Sequence, residues 1–155
     1  VAARDKPKRS GLARIIGLRC ARRMPALRLE HLALNVTDPA AVAAWYGEHL
    51  GLRVVRAGTD PARTTFLATA DGLVLVELYC NTAAPVGTYG QKHPLELHLA
   101  FRSDDPAADA ERLIRAGASL FEAFKTTPAG DRMVMLRDPF GLSLQLVWRA
   151  QPMLT

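Results

Sequence analysis

Cysteine is almost missing from this chain. Cys20 and Cys80 are the only two in 155 residues, and no C-x-x-C pair occurs. A disulfide framework is thereby excluded, and a reducing, cytoplasmic location is expected. Long apolar runs are missing too. No stretch approaches the roughly 20 apolar residues that span a bilayer, so no membrane partner is expected. The third absence is a basic stripe. The net charge of +5 suggests one, but eight of the twenty Lys/Arg and one of the fifteen Asp/Glu fall within residues 1–23. Residues 24–155 keep twelve against fourteen, a net charge of −2. With the basic character confined to one end, no nucleic-acid partner is expected.

What remains is ordinary globular material, 49% apolar and 23% charged. Residues 1–24 read as a basic, disordered N-terminal extension, with an Arg-rich transit segment as the alternative. Their apolar piece "LARIIGL" is short and broken by Arg14, a poor secretory core. Residues 150–155 read as a tail.

The body contains a repeat. "HLALNV" begins at His31 and "HLAFRS" at His98, 67 positions on, and "DPAA" recurs at Asp38 and Asp105, also 67 apart. Two features at one offset point to a duplicated half-domain. Both halves parse alike. A strand over Arg28–Val36 is followed by Asp38-Pro39, a good helix opening, and a helix ending at Gly51. "LRVVRAG", "RTTFLATA" and "LVLVELYC" then read as strands, the last two joined at Asp71-Gly72. The second half offers "LELHLAFR", a helix ending at Gly117, "SLFEAF", "DRMVMLRD" and "LSLQLVW", with the turn "PFG" before the last. The expectation is α+β, with βαβββ modules at residues 25–82 and 94–149. A Gly/Pro-rich loop joins them, "NTAAPVGTYGQKHP". His49 and His93 read as surface residues.

Strand alternation puts His31 on one face with Ala33 and Asn35, and His98 with Ala100 and Arg102. Glu77 and Gln145 interrupt otherwise apolar last strands. A carboxylate buried in such a strand is costly unless it is paired or bound to a cation. A metal ion would meet that demand.

These stretches, with "WYGEHLGLRVV", "VELYCN" and "DPFGLSLQLV", resemble the vicinal oxygen chelate superfamily of glyoxalase I, bleomycin resistance proteins and extradiol dioxygenases. The resemblance covers roughly residues 26–149. It implies that the two modules pair into a half-open barrel. It also implies that one divalent metal ion is held by His31, Glu77, His98 and Gln145, whose two imidazoles, carboxylate and amide oxygen suit Zn, Ni, Co, Mn or Fe. A small substrate with adjacent oxygens would chelate that metal, which would stabilise an enediolate, with Glu77 as the catalytic base. Gln145 stands where the family usually has Glu, and an amide has no useful basicity. Asn81 matches a glutathione-contacting Asn, whereas Asn35 stands where the family has Arg. Asn35, Asn81 and Arg102 are the candidate substrate-binding residues. A glyoxalase-like lyase or isomerase is the leading expectation. The alternatives are an Fe(II) dioxygenase and a non-enzymatic small-molecule binding protein. The latter would line its cleft from Trp45, Tyr46, Phe66, Tyr79, Phe124 and Trp148, most of them equally suited to the core. A homodimer is expected, and whether modules pair within a chain or across two chains is left open.

Overall fold

The computed structural model describes residues 27–72 and 75–153. The expected extension, residues 1–24, and Leu73 and Val74 of one expected strand lie outside them. Two βαβββ modules follow in order: β1 (His31–Asn35), α1 (Pro39–Leu50), β2 (Arg53–Ala57), β3 (Thr65–Ala68) and β4 (Leu75–Tyr79). Then come β5 (Leu99–Arg102), α2 (Pro106–Arg115), β6 (Ser119–Thr126), β7 (Arg132–Arg137) and β8 (Ser143–Trp148). The sheets have the orders β1-β4-β3-β2 and β5-β8-β7-β6, with the first and last strands of each module parallel neighbours. This is the expected α+β fold, with two sheets that do not close into a barrel. Among the described residues no helix is long and apolar enough to cross a membrane.

The helix openings follow the repeat. The Asp38 carboxylate accepts from the Ala40 and Ala41 amides, and Asp105 accepts from Ala108, with proline next in each case. Gly51 ends α1 in the left-handed region at φ 71°, which costs glycine nothing. Most strand ends fall inside the expected ranges, most of all in the first strand of the second module. "LELHLAFR" is extended only from Leu99, because Pro94–Leu97 make a turn. The Glu96 amide donates to the His93 carbonyl, and the Leu95 amide to His93 Nδ1. His98 therefore sits just ahead of β5 and not within it.

Register sorts the strand faces. Ala33 pairs with Glu77 and Ala100 with Gln145. His31, Ala33, Phe66 and Glu77 thus lie on one face of the first sheet, opposite Leu34, Leu67, Val76 and Leu78, which are buried under α1. In the second sheet Leu144, Leu146, Val134 and Leu136 are buried with Leu113 of α2, while Gln145, Met133 and Met135 share the other face. The helix-covered faces build two cores, and Trp45, Leu50, Leu99 and Phe101 pack against both.

Within the chain the modules are joined on the helix side. Trp45 Nε1 donates to the Ala116 carbonyl at 2.8 Å, Arg112 to the His49 carbonyl at 2.8 Å, and the buried Tyr46 hydroxyl to Asp138 at 2.7 Å. The linker is pinned as well. Arg137 donates to the carbonyls of Tyr89, Lys92 and Gly141. Gly141 lies so near Gly90 that a Cβ would stand 2.7 Å from its amide nitrogen, so only glycine fits this turn.

Candidate functional site

The first module brings two of the four expected ligands together. His31 Nε2 lies 3.2 Å from Glu77 Oε2, both on the uncovered face of β1 and β4. Their positions follow from register. His31 pairs with Leu75, so Glu77 stands two residues further along the neighbouring parallel strand, on the same side. Phe66, directly across from Glu77 on β3, sets its ring edge-on to His31 at 5.9 Å, and Arg56 lies over the Phe66 ring at 5.9 Å.

The other ring nitrogen of His31, Nδ1, bonds the carboxylate of Glu30. A carboxylate at each nitrogen favours the imidazolium. The His31 pKa is raised above its ordinary value chiefly by the Glu30 hydrogen bond, against some desolvation, with the charges of Glu30 and Glu77 adding.

The 3.2 Å separation tests whether a metal fits. Two donors about 2.1 Å from one cation lie about 3.0 Å apart at a right angle and about 3.4 Å apart at the tetrahedral angle. His31 and Glu77 fall between these values, and an imidazole with a carboxylate is a normal donor pair for first-row divalent ions. The pair fits.

The second module repeats the register. Leu99 pairs with Leu144, which carries His98 and Gln145 to the same offset as His31 and Glu77. His98 Nδ1 donates to the Pro94 carbonyl at 2.8 Å, which leaves Nε2 as the lone-pair nitrogen. Gln145 turns its amide toward Met133 Sδ at 3.9 Å. Among the described residues no three His, Cys, Asp or Glu side chains converge. His31 and Glu77 thus meet on the first sheet, while Gln145 lies on the second sheet and His98 just ahead of it.

The expected substrate contacts fare differently. Asn35 Nδ2 faces the carbonyls of Asn81, Ala84 and Pro85, and its Oδ1 accepts from the Asn81 amide at 2.8 Å. Asn81 Oδ1 accepts from Ala83. These two side chains tie down the loop after β4. Arg102 is exposed on the uncovered face of β5 and borders a cavity of about 340 Å³ with Ala100, Val147, Arg149, Pro152 and Met153. Of the aromatic candidates, Tyr46 is fully buried, Trp45 bridges the two cores, and Trp148 lies under Arg132 at 4.2 Å. Phe66 packs edge-on to His31, and Phe124 is exposed. His93 is exposed, and the half-buried His49 packs on Trp45. Sequence reading missed Glu30, which an acidic residue directly before His31 could have signalled, and the Pro94 carbonyl, which has no side-chain signal.

No protein of curated function matches the chain significantly. Solved structures do. A glyoxalase family protein from Bacillus cereus superposes with TM-score 0.68 at 17% identity, over 81% of this chain and 96% of its own. An antibiotic-binding protein from a Streptomyces species gives 0.60 at 23% identity, over 79% and 96%. A glyoxalase family protein from Enterococcus faecalis gives 0.58 at 26% identity, over 78% and 97%. Residues 28–146 match the model of the Glyoxalase/Bleomycin resistance protein/Dioxygenase superfamily. Fold and sequence match agree: the chain belongs to the glyoxalase, bleomycin resistance and dioxygenase superfamily.

Proposed function

We propose that this protein is a metal-dependent lyase or isomerase of the glyoxalase type, acting on a small molecule with two adjacent oxygens. The observation that carries this reading is the His31–Glu77 pair, spaced as two ligands of one ion. His31, Glu77, His98 and Gln145 would hold a divalent cation, which supplies Lewis-acid stabilisation of charge developing on a substrate oxygen. The chain's own chemistry is divided among these side chains. Glu77 is the only carboxylate of the four, so moving a proton beside a carbonyl falls to it. His31 Nε2 and Glu77 Oε2 stand 3.2 Å apart as two donors to one ion, and Phe66 walls one side of the imidazole. Gln145 can orient a group through its amide but cannot take its proton.

The site is completed by a second copy of the chain in a homodimer. Among the described residues, β1 and β5, which carry or adjoin the two histidines, each have a strand neighbour on one side only. β2 and β6 are exposed along their whole length, with Val54, Val55, Leu120, Phe121 and Phe124 open to solvent. Unpaired edges and apolar surface of this extent call for cover. Setting the first module of one copy against the second module of the other joins the half-sites in a two-fold assembly.

Metal analysis after reconstitution is the deciding experiment, followed by assay of methylglyoxal with glutathione and then of catechols in air. Less than about a tenth of an equivalent of metal refutes the metalloenzyme reading. Turnover of catechols in place of methylglyoxal moves the assignment to the dioxygenases. A second reading, a non-enzymatic small-molecule binder, is favoured by one feature. A cavity of about 340 Å³ beside the second half-site is lined by Pro94, Leu95, Phe121 and Met135 with a few charged side chains, the composition of a ligand pocket. Tight binding of an apolar ligand by metal-free protein would support it.

A further inference from the structure

The two histidines of the half-sites are held in the same way by different partners. In each, Nδ1 is engaged and Nε2 is the nitrogen left for the site. His98 Nδ1 is fixed by the Pro94 carbonyl at 2.8 Å. His31 Nδ1 is fixed by the Glu30 carboxylate, while Nε2 faces Glu77. The repeat shows where the two modules differ. The position 67 residues after Glu30 is Leu97, an apolar side chain packed against the first core. The second module therefore has no carboxylate there, and the turn built on Pro94 supplies a backbone acceptor.

The structure assigns Glu30 the role of a positioning residue that fixes the tautomer and orientation of His31, so that Nε2 faces Glu77 and the metal those two would share. The assignment rests on the proposed metal function. A metal-bound histidine whose second nitrogen bonds a carboxylate is both a better oriented and a more basic ligand, and removing that partner ordinarily costs 10–100-fold in metal affinity. Because its orienting acceptor is charged, the first half-site is the stronger anchor for a cation. The second, held by a neutral carbonyl and ending in the amide of Gln145, contributes less charge.

The test uses the full chain with Glu30→Ala and Glu30→Gln, and Glu48→Ala as a control for loss of an exposed carboxylate on α1. Two quantities are read. One is the dissociation constant for Mn²⁺ or Ni²⁺ by titration calorimetry. The other is the His31 tautomer in metal-free protein, from ring nitrogen shifts at a pH above the ring's titration. Glu30→Ala should weaken metal binding about 10–100-fold and move the His31 proton from Nδ1 toward Nε2. Glu30→Gln, which still offers an acceptor oxygen, should lose less affinity and keep the Nδ1–H tautomer, and Glu48→Ala should change neither quantity. Wild-type affinity and an unchanged tautomer in Glu30→Ala overturn the assignment. If wild-type protein binds no metal, the proposed function fails, and the tautomer measurement still decides whether Glu30 sets the ring.

Discussion

Replacing Tyr46 by Phe removes one hydroxyl from the buried contact between the modules and leaves the ring in place. Tyr46 is fully buried, and its hydroxyl donates to Asp138 Oδ2 at 2.7 Å. The other carboxylate oxygen of Asp138 accepts from the Phe140 and Leu142 amides at 2.9 and 2.8 Å. Without the hydroxyl, Asp138 Oδ2 is left buried with no donor from the first module. A hydrogen bond to a charged group contributes about 1.5–3 kcal/mol, so a loss of roughly 2 kcal/mol is expected. For a chain of this size that lowers Tm by about 4–8 °C. The loss should depend on pH. Burial raises the Asp138 pKa, against the pull of the Tyr46 hydroxyl and the backbone amides. A carboxyl with a raised folded-state pKa binds protons more tightly when folded. Stability therefore falls as pH rises from its ordinary value of 3.8 through the raised one. Loss of the Tyr46 donor raises that pKa further and widens the window. The cost of Tyr46→Phe should thus be larger at neutral pH than near pH 4. Urea denaturation at several pH values measures both effects. A cost below about 0.5 kcal/mol, the range of ordinary surface changes, or a cost independent of pH, refutes the reasoning.

Other outcomes follow from the same geometry. Gln145→Glu places a second carboxylate at the matching register of the second sheet and should raise divalent-metal affinity, read by calorimetry. Unchanged affinity would count against Gln145 as a ligand. Asn35→Ala removes the side chain that ties the loop after β4 to β1. Hydrogen exchange at the Asn81 amide should speed up by an order of magnitude or more, the scale of one lost hydrogen bond. An unchanged exchange rate would show that other contacts hold the loop.

Much of this was legible because the chain says it twice. The 67-residue offset between His31 and His98, and between the two Asp-Pro helix openings, marked the modules before any packing was known. Strand alternation put His31 on one face with Ala33, and the register has Glu77 on that face and Gln145 on the face shared with Ala100. The sequence could not show backbone acceptors. The Pro94 carbonyl that turns His98, and the Ala116 and His49 carbonyls that receive Trp45 and Arg112, carry no side-chain signature. His98 fell into an expected strand because its neighbours are apolar, whereas Pro94 and the Glu96 and His93 contacts hold that stretch in a turn. Asn35 looked like a ligand contact on an exposed face, yet its amide is occupied by loop carbonyls reached only through folding.

The central claim is that one metal site is assembled from both half-sites. Titration of the full chain with Mn²⁺ or Ni²⁺, compared among wild type, Glu77→Gln and His98→Ala, tests it most directly. The expected result is about one ion per chain in the wild type, with affinity falling at least 10-fold in both variants. Full affinity retained in His98→Ala, with loss only in Glu77→Gln, would contradict the shared site.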